Sequence, residues 1–211
     1  MRLTEAIEGF ALYLRSNRRS PATIRAYQRD LAGLVHYTVN VDVADIGRNL
    51  IHRFVASDAV QLKADGTPRA PVTVNRLKAA LRSFGGWLVD MDHLQSNPAN
   101  RLDIRRCERQ SPSTLTDAER KRMSREVASR KGAAAERDRV MLAILLGTGI
   151  RLSELVGLDV SDVDLDGKSI RIHAKGGHIE TRFLASDLRR LLRKYLRRRA
   201  ESPVCTPAVF L

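Results

Sequence analysis

The chain has 211 residues, 43% of them hydrophobic and 29% charged, with a formal net charge of +13. That length and apolar content allow one large domain or two small ones with their own cores, and exclude a wholly disordered chain. No apolar run reaches the roughly 18 residues of a membrane-spanning helix.

Residues 1–110 carry 17 basic and 11 acidic side chains, and residues 111–211 carry 20 and 13. A basic tail would concentrate the excess at one end. Here both halves hold it, the pattern of a protein that grips a polyanion, nucleic acid first, with both. An arginine-rich genome would give the same composition, so motifs must decide. The N-terminus, MRLTEAIEGFALYL, has acids inside its apolar pattern and no small-residue cleavage site. It reads as a helix rather than a signal peptide, and the expected location is the cytoplasm. Cys107 and Cys205 lie far apart, outside any CxxC or Cys/His cluster. Reduced thiols are expected, with no metal site and no disulfide framework.

Ile7, Phe10, Ala11 and Leu14 recur at helical spacing. Ser20-Pro21 is a helix start, with Ser20 as N-cap and Pro21 at the first position. That helix runs to about Tyr37, with Ile24, Tyr27, Leu31, Leu34 and Val35 on one face and Arg25 and Arg29 on another. A third helix is expected from about Gly47 to Ala59. Residues 63–71, with their Gly and Pro, form a loop. A fourth helix spans about Val72 to Met91, with Leu77, Leu81, Phe84, Trp87 and Leu88 facing inward and Arg76, Lys78 and Arg82 off that face. Asn97-Pro98 breaks the chain. Residues 101–113 are polar, basic and aperiodic, as in a linker. Thr116 and Glu119 then form a capping box. An apolar helix at 136–147 ends at Gly147, and Arg151 and Ser153 open the next. Ser169–His173 and 178–184 alternate around a turn at 174–177, which predicts a β-hairpin with Lys175 near its tip. A last helix, Ser186–Ala200, buries Leu188, Leu191, Leu192, Tyr195 and Leu196.

The segment 147–155, Gly-Thr-Gly-Ile-Arg-Leu-Ser-Glu-Leu, is the most informative. Arginine offers a planar fork of donors suited to phosphate oxygens, and a helix start adds backbone N–H groups. A helical basic half, a linker, Arg151 and then Lys175-Gly-Gly together resemble the tyrosine recombinase (phage integrase) family of Xer-like proteins. Ser20–Tyr27 with Asp30-Leu31 resembles the entry helix of its N-terminal domain, and Asn75–Leu77 through Trp87 to Asn97-Pro98 its last helix. Leu115–Glu119 resembles the opening of the catalytic domain, and Thr148–Leu155 the segment bearing the first catalytic arginine.

The resemblance implies a mainly α fold: a helical, SAM-like core-binding domain over 1–107, a linker at 108–112, and an incomplete α+β catalytic domain with a small hairpin sheet over 113–211. It implies a DNA strand exchange enzyme that clamps duplex DNA. In the family a tyrosine attacks the scissile phosphate and leaves a 3′-phosphotyrosyl link, two arginines and a histidine steady the phosphate, and a lysine protonates the departing 5′-oxygen. Arg151 and Lys175 take the arginine and lysine roles here, with Glu154 orienting Arg151. Thr23, Arg25, Arg29, Arg76, Lys78, Arg82 and His178 are the expected DNA contacts. No metal or nucleotide cofactor is implied. Duplex DNA and further recombinase subunits are the implied partners, with no membrane and no small-molecule substrate.

The chain departs from the family at one point. None of His36, His52, His93, His173 and His178 is followed by arginine at the third position. Tyr195, the one tyrosine downstream of Lys175, sits at helical spacing with leucines and reads as core. The apolar ending Ala208–Leu211 looks like a cut through a domain that would leave an apolar patch exposed. The expected chain is therefore a truncated recombinase that binds without cleaving. The alternatives are a DNA-binding protein that competes with a full-length relative, and an unrelated basic nucleic-acid-binding protein.

Overall fold

The structure, a computed structural model, describes residues 1–104, 107, 113–174 and 177–211. The linker expected at 108–112 and the expected catalytic Lys175 lie outside the described residues. The chain divides into two compact units, Met1–Ser111 and Pro112–Leu211. Among the described residues, no helix is long and apolar enough to cross a membrane.

The first unit is helical: α1 (Leu3–Ser16), α2 (Pro21–Thr38), α3 (Arg48–Ala56), α4 (Asp58–Gln61) and α5 (Pro71–Asp90). α1 buries Leu3, Ala6, Ile7, Phe10, Ala11 and Leu14, the stripe that its spacing predicts. α2 starts as expected, with the Ser20 hydroxyl accepting from the Thr23 N–H at 3.2 Å and Pro21 just inside. Phe10 of α1 packs against Phe84 and Trp87 of α5, with ring centres 5.4 and 5.6 Å apart. Gly9 allows this approach, because a Cβ there would lie 3.1 Å from the Trp87 ring. The single helix expected at 47–59 is two. Ser57 is extended, and its hydroxyl donates to the Phe54 carbonyl at 2.7 Å. A serine that bonds a nearby carbonyl competes with the helical ladder, and here it ends α3.

The second unit holds α6 (Asp117–Ser129), α7 (Ala133–Thr148), α8 (Leu152–Val156), β1 (Val163–Asp164), β2 (Ser169–His173), β3 (Ile179–Phe183) and α9 (Ser186–Ala200). The strands form an antiparallel sheet in the order β1-β2-β3. Its core joins Val140 and Ile144 of α7, Leu155 of α8, Ile170 and Ile172 of β2, and Leu188, Leu192 and Tyr195 of α9. β1 was not anticipated; two residues are too few to show a period.

The pairing of β3 decides which face its alternating residues take. Its pairing sets Ile170 opposite Arg182 and Ile172 opposite Glu180. Directly opposed residues share a face, so Glu180 and Arg182 lie on the side of the buried isoleucines. Ile179 and Phe183 point the other way and are 62% and 77% exposed. The apolar ending packs in part. Val209 is fully buried, its N–H donates to the Leu158 carbonyl at 2.8 Å, and Phe210 stacks on Tyr195. Leu211 is 37% exposed, and other exposed apolar side chains of this unit are Leu115, Leu152, Val156, Val160, Ile179, Phe183 and Val204.

Candidate functional site

α7 ends because Gly149 takes φ +66 and returns its N–H to the Leu145 carbonyl at 3.0 Å. Buried Ile150 anchors the turn, and Arg151 follows in extended conformation as the N-cap of α8. α8 has five residues, too short for a strong dipole, so the site rests on side chains. Glu154 accepts the Arg151 N–H at 2.8 Å through one oxygen and the Arg151 guanidinium at 2.7 Å through the other. Its side chain is 9% exposed and that of Arg151 73%. The carboxylate thus holds one terminal nitrogen, Nη1, of a guanidinium side chain that is otherwise largely open to solvent.

These bonds pull the Glu154 carboxyl below the usual glutamate range, the Arg151 N–H contributing most and its guanidinium next, with the charge of Arg182 adding to the pull. The Arg151 guanidinium is held still more firmly charged by its bond to Glu154, with a smaller contribution from Glu180. Glu180 and Arg182 pair with each other at 2.5 Å. β3 therefore adds an ion pair beside Arg151 and Glu154. Sequence reasoning missed this pair, because alternation along β3 does not say which face meets the buried side of β2.

The described residues on either side of Lys175 pair with each other. The Ala174 N–H donates to the His178 carbonyl at 2.8 Å, and Gly177 takes φ +82. His178 is exposed, as a DNA contact requires. On the outer face, buried Asp162 approaches His173 at 3.3 Å and Arg171 at 3.6 Å. Among the described residues no His/Cys/Asp/Glu cluster could hold a metal ion.

In the first unit, Arg25 and Arg29 of α2 and Arg82 of α5 are exposed. The other expected contacts have partners within the chain. The Thr23 hydroxyl bonds that of Ser20 at 2.8 Å, and Lys78 donates to the Asp103 carbonyl at 2.8 Å. Arg76 places two nitrogens on the Asp30 carboxylate at 2.7 and 2.8 Å. Asp30 is 8% exposed, and burial raises its carboxyl above the ordinary aspartate value against the pull of Arg76, Arg29 and Arg69. The sequence showed Asp30 only as part of a helix; its partner lies 46 residues away.

Several cations of α9 have partners within the chain. Lys194 and Arg198 approach Glu136 at 3.6 and 2.7 Å, Arg190 pairs with Asp187, and Arg199 donates to the Ala208 carbonyl at 2.8 Å. Tyr195 is buried in the core, and its hydroxyl lies 3.4 Å from the Leu211 N–H.

Residues 113–211 match the phage integrase family, and residues 7–92 match the phage integrase N-terminal SAM-like domain. The tyrosine recombinase XerC of Azotobacter vinelandii is 32% identical over 211 residues, covering 97% of this chain and 68% of that protein. XerH site-specific recombinase bound to palindromic difH substrate has a similar fold: TM-score 0.68 at 17% identity, covering 97% of this chain and 60% of that one. A lambda integrase dimer bound to a COC′ core site gives a TM-score of 0.66 at 15% identity over 92% and 69%. The chain spans 56% to 68% of the length of the curated relatives it matches.

Proposed function

This chain belongs to the phage integrase family of tyrosine recombinases, and on that premise we propose that its two units bind one duplex as parts of a site-specific recombinase, without cleaving it. The observation that carries the reading is Arg151, fixed by Glu154 through its backbone N–H and Nη1 and still largely open to solvent. Phosphoryl transfer spreads charge over the non-bridging oxygens, and a cation placed in advance stabilises it without reorganising. Glu154 performs that placement. Lys175, which follows β2 in sequence, is the proposed donor of a proton to the departing 5′-oxygen. Thr23, Arg25, Arg29, Arg76, Lys78, Arg82 and His178 are the proposed DNA contacts. The XerH and lambda integrase structures, bound to DNA and, for lambda integrase, dimeric, support duplex DNA and further recombinase subunits as partners.

Cleavage needs a nucleophile. Tyr195 packs in the core against Phe210 at 5.6 Å. None of the five histidines begins a His-x-x-Arg box. A nicked suicide duplex tests the proposal: the chain should shift the duplex in a gel yet form no protein–DNA adduct on denaturing electrophoresis. A covalent adduct would overturn the inactive reading, and failure to bind would overturn the DNA reading.

A further inference from the structure

A pocket of about 340 Å³ opens between α2, α5 and the loop before α5. Three arginines line it: Arg29 from α2, Arg69 from the loop and Arg76 from α5. Asp30 is the one acid in the lining, His36 also lines it from α2, and Phe54 is among its apolar residues. The charge balance therefore favours an anion. Arg69 is fixed by backbone rather than by an acid: its guanidinium donates to the Leu62 carbonyl at 2.8 Å, and its Nε is buried without a hydrogen-bond partner. Asp30 already fills part of the anionic role, with both oxygens on Arg76.

We propose that this pocket binds a phosphate group through Arg29, Arg69 and Arg76, with Asp30 as an internal counter-ion that takes up a proton when the phosphate enters. A buried carboxylate and an incoming anion compete for the same guanidinium, and like charges so close cannot both remain ionised cheaply. Burial already pushes the Asp30 carboxyl upward, and a second anion pushes it further. Binding therefore strengthens as pH falls toward the raised Asp30 value, by up to about tenfold per pH unit for one linked proton. His36 also lines the pocket, so its part must be separated from that of Asp30. The inference deepens the DNA-binding reading, resting on it only for the source of the phosphate.

Sulfate, whose charge is constant from pH 5 to 7.5, is the probe, titrated calorimetrically into the full chain. Saturable binding that tightens as pH falls is expected. Asp30→Asn should bind sulfate at least as tightly at pH 7.5 and lose most of the pH dependence, while His36→Gln keeps it. Arg29→Ala, at an exposed position that leaves the core intact, should weaken binding about tenfold and keeps the test open if Asp30→Asn fails to fold. No saturable sulfate binding, no effect of Arg29→Ala, or an unchanged pH profile in folded Asp30→Asn would each overturn the pocket.

Competition identifies the source. Displacement of sulfate by a short duplex assigns the DNA backbone, and displacement by pyrophosphate alone assigns a free phosphate ester. Duplex binding without sulfate binding sinks the pocket and spares the DNA reading. Sulfate binding without duplex binding does the reverse.

Discussion

Replacing Arg151 by alanine tests the proposed phosphate site directly. The side chain is 73% exposed and anchored to Glu154 at 2.7 Å, so its outer donors can reach a phosphate with little reordering. A charge-assisted hydrogen bond contributes about 1.5–3 kcal/mol, and solvent exposure favours the lower end. Arg151→Ala should therefore weaken duplex binding about tenfold. It also removes one neutralised phosphate, so the slope of log affinity against log salt should flatten by about 0.9. Lys194→Ala is the matched control. Its ammonium lies 3.6 Å from Glu136, which also holds Arg198, and its loss should change affinity less than about threefold and leave the slope nearly unchanged. Fluorescence anisotropy on a fixed duplex between 50 and 200 mM salt, a range over which phosphate contacts are strongly screened, reads both quantities. Equal losses and equal slopes for the two variants would show that Arg151 contributes only bulk charge.

α6 buries no residue, so its start depends on the Thr116–Glu119 capping box. Thr116→Ala should raise amide exchange in the first turn about fivefold while leaving the global transition in place; unchanged exchange would show that the cap is idle. In an NMR titration the same variant should move the Glu119 carboxyl only part of the way up and leave Glu154 depressed. The backbone N–H at 116, the larger cause of the Glu119 depression, remains while the hydroxyl is lost. Both carboxyls are lowered in the folded chain, so their contribution is present at neutral pH. It fades as pH falls below the ordinary glutamate value and through the lowered one. Leu31 and Leu192 are fully buried in different cores, and each truncation to alanine should cost its own unit about 2–5 kcal/mol. Trp87, the chain's one tryptophan, reports the first unit. Leu31→Ala should shift its urea midpoint and Leu192→Ala should not; a shared shift would mean that the two units unfold together.

The helices were legible where a pattern and a punctuating residue agreed. Ser20-Pro21, Thr116 with Glu119, and the leucine stripe of α9 each state a start or a buried face locally. The break at Ser57 was hidden, since a serine inside an apolar pattern fits a helix until its hydroxyl finds the Phe54 carbonyl. The facing of β3 was hidden too. Alternation has a period but no sign, and only pairing with β2 shows that Glu180 and Arg182 take the inner side. The Arg151–Glu154 pair could be read from sequence because its partners are three residues apart. The Asp30–Arg76 pair could not, because helix packing creates it.

That difference bears on how a basic chain should be read. A net charge of +13 counts every cation alike, yet the structure divides them. On α9, Lys194 and Arg198 are tied to Glu136, and Arg199 serves backbone carbonyls. Lys194 and Arg198 thus share one acid, although their side chains stay 74% and 59% exposed. Arg151 is also paired, but with a carboxylate that is 9% exposed behind a guanidinium that is 73% exposed. Its acid therefore orients the cation rather than screening its outer face. Arg76 stands between these cases, 40% exposed with both Asp30 oxygens occupied. Its charge becomes available only when Asp30 loses its own. Exposure alone does not separate Arg151 from Lys194, which is 74% exposed over a carboxylate 12% exposed. What sets Arg151 apart is a carboxylate of its own, bonded at 2.7 and 2.8 Å to guanidinium and backbone, where Lys194 shares Glu136 with Arg198 at 3.6 Å.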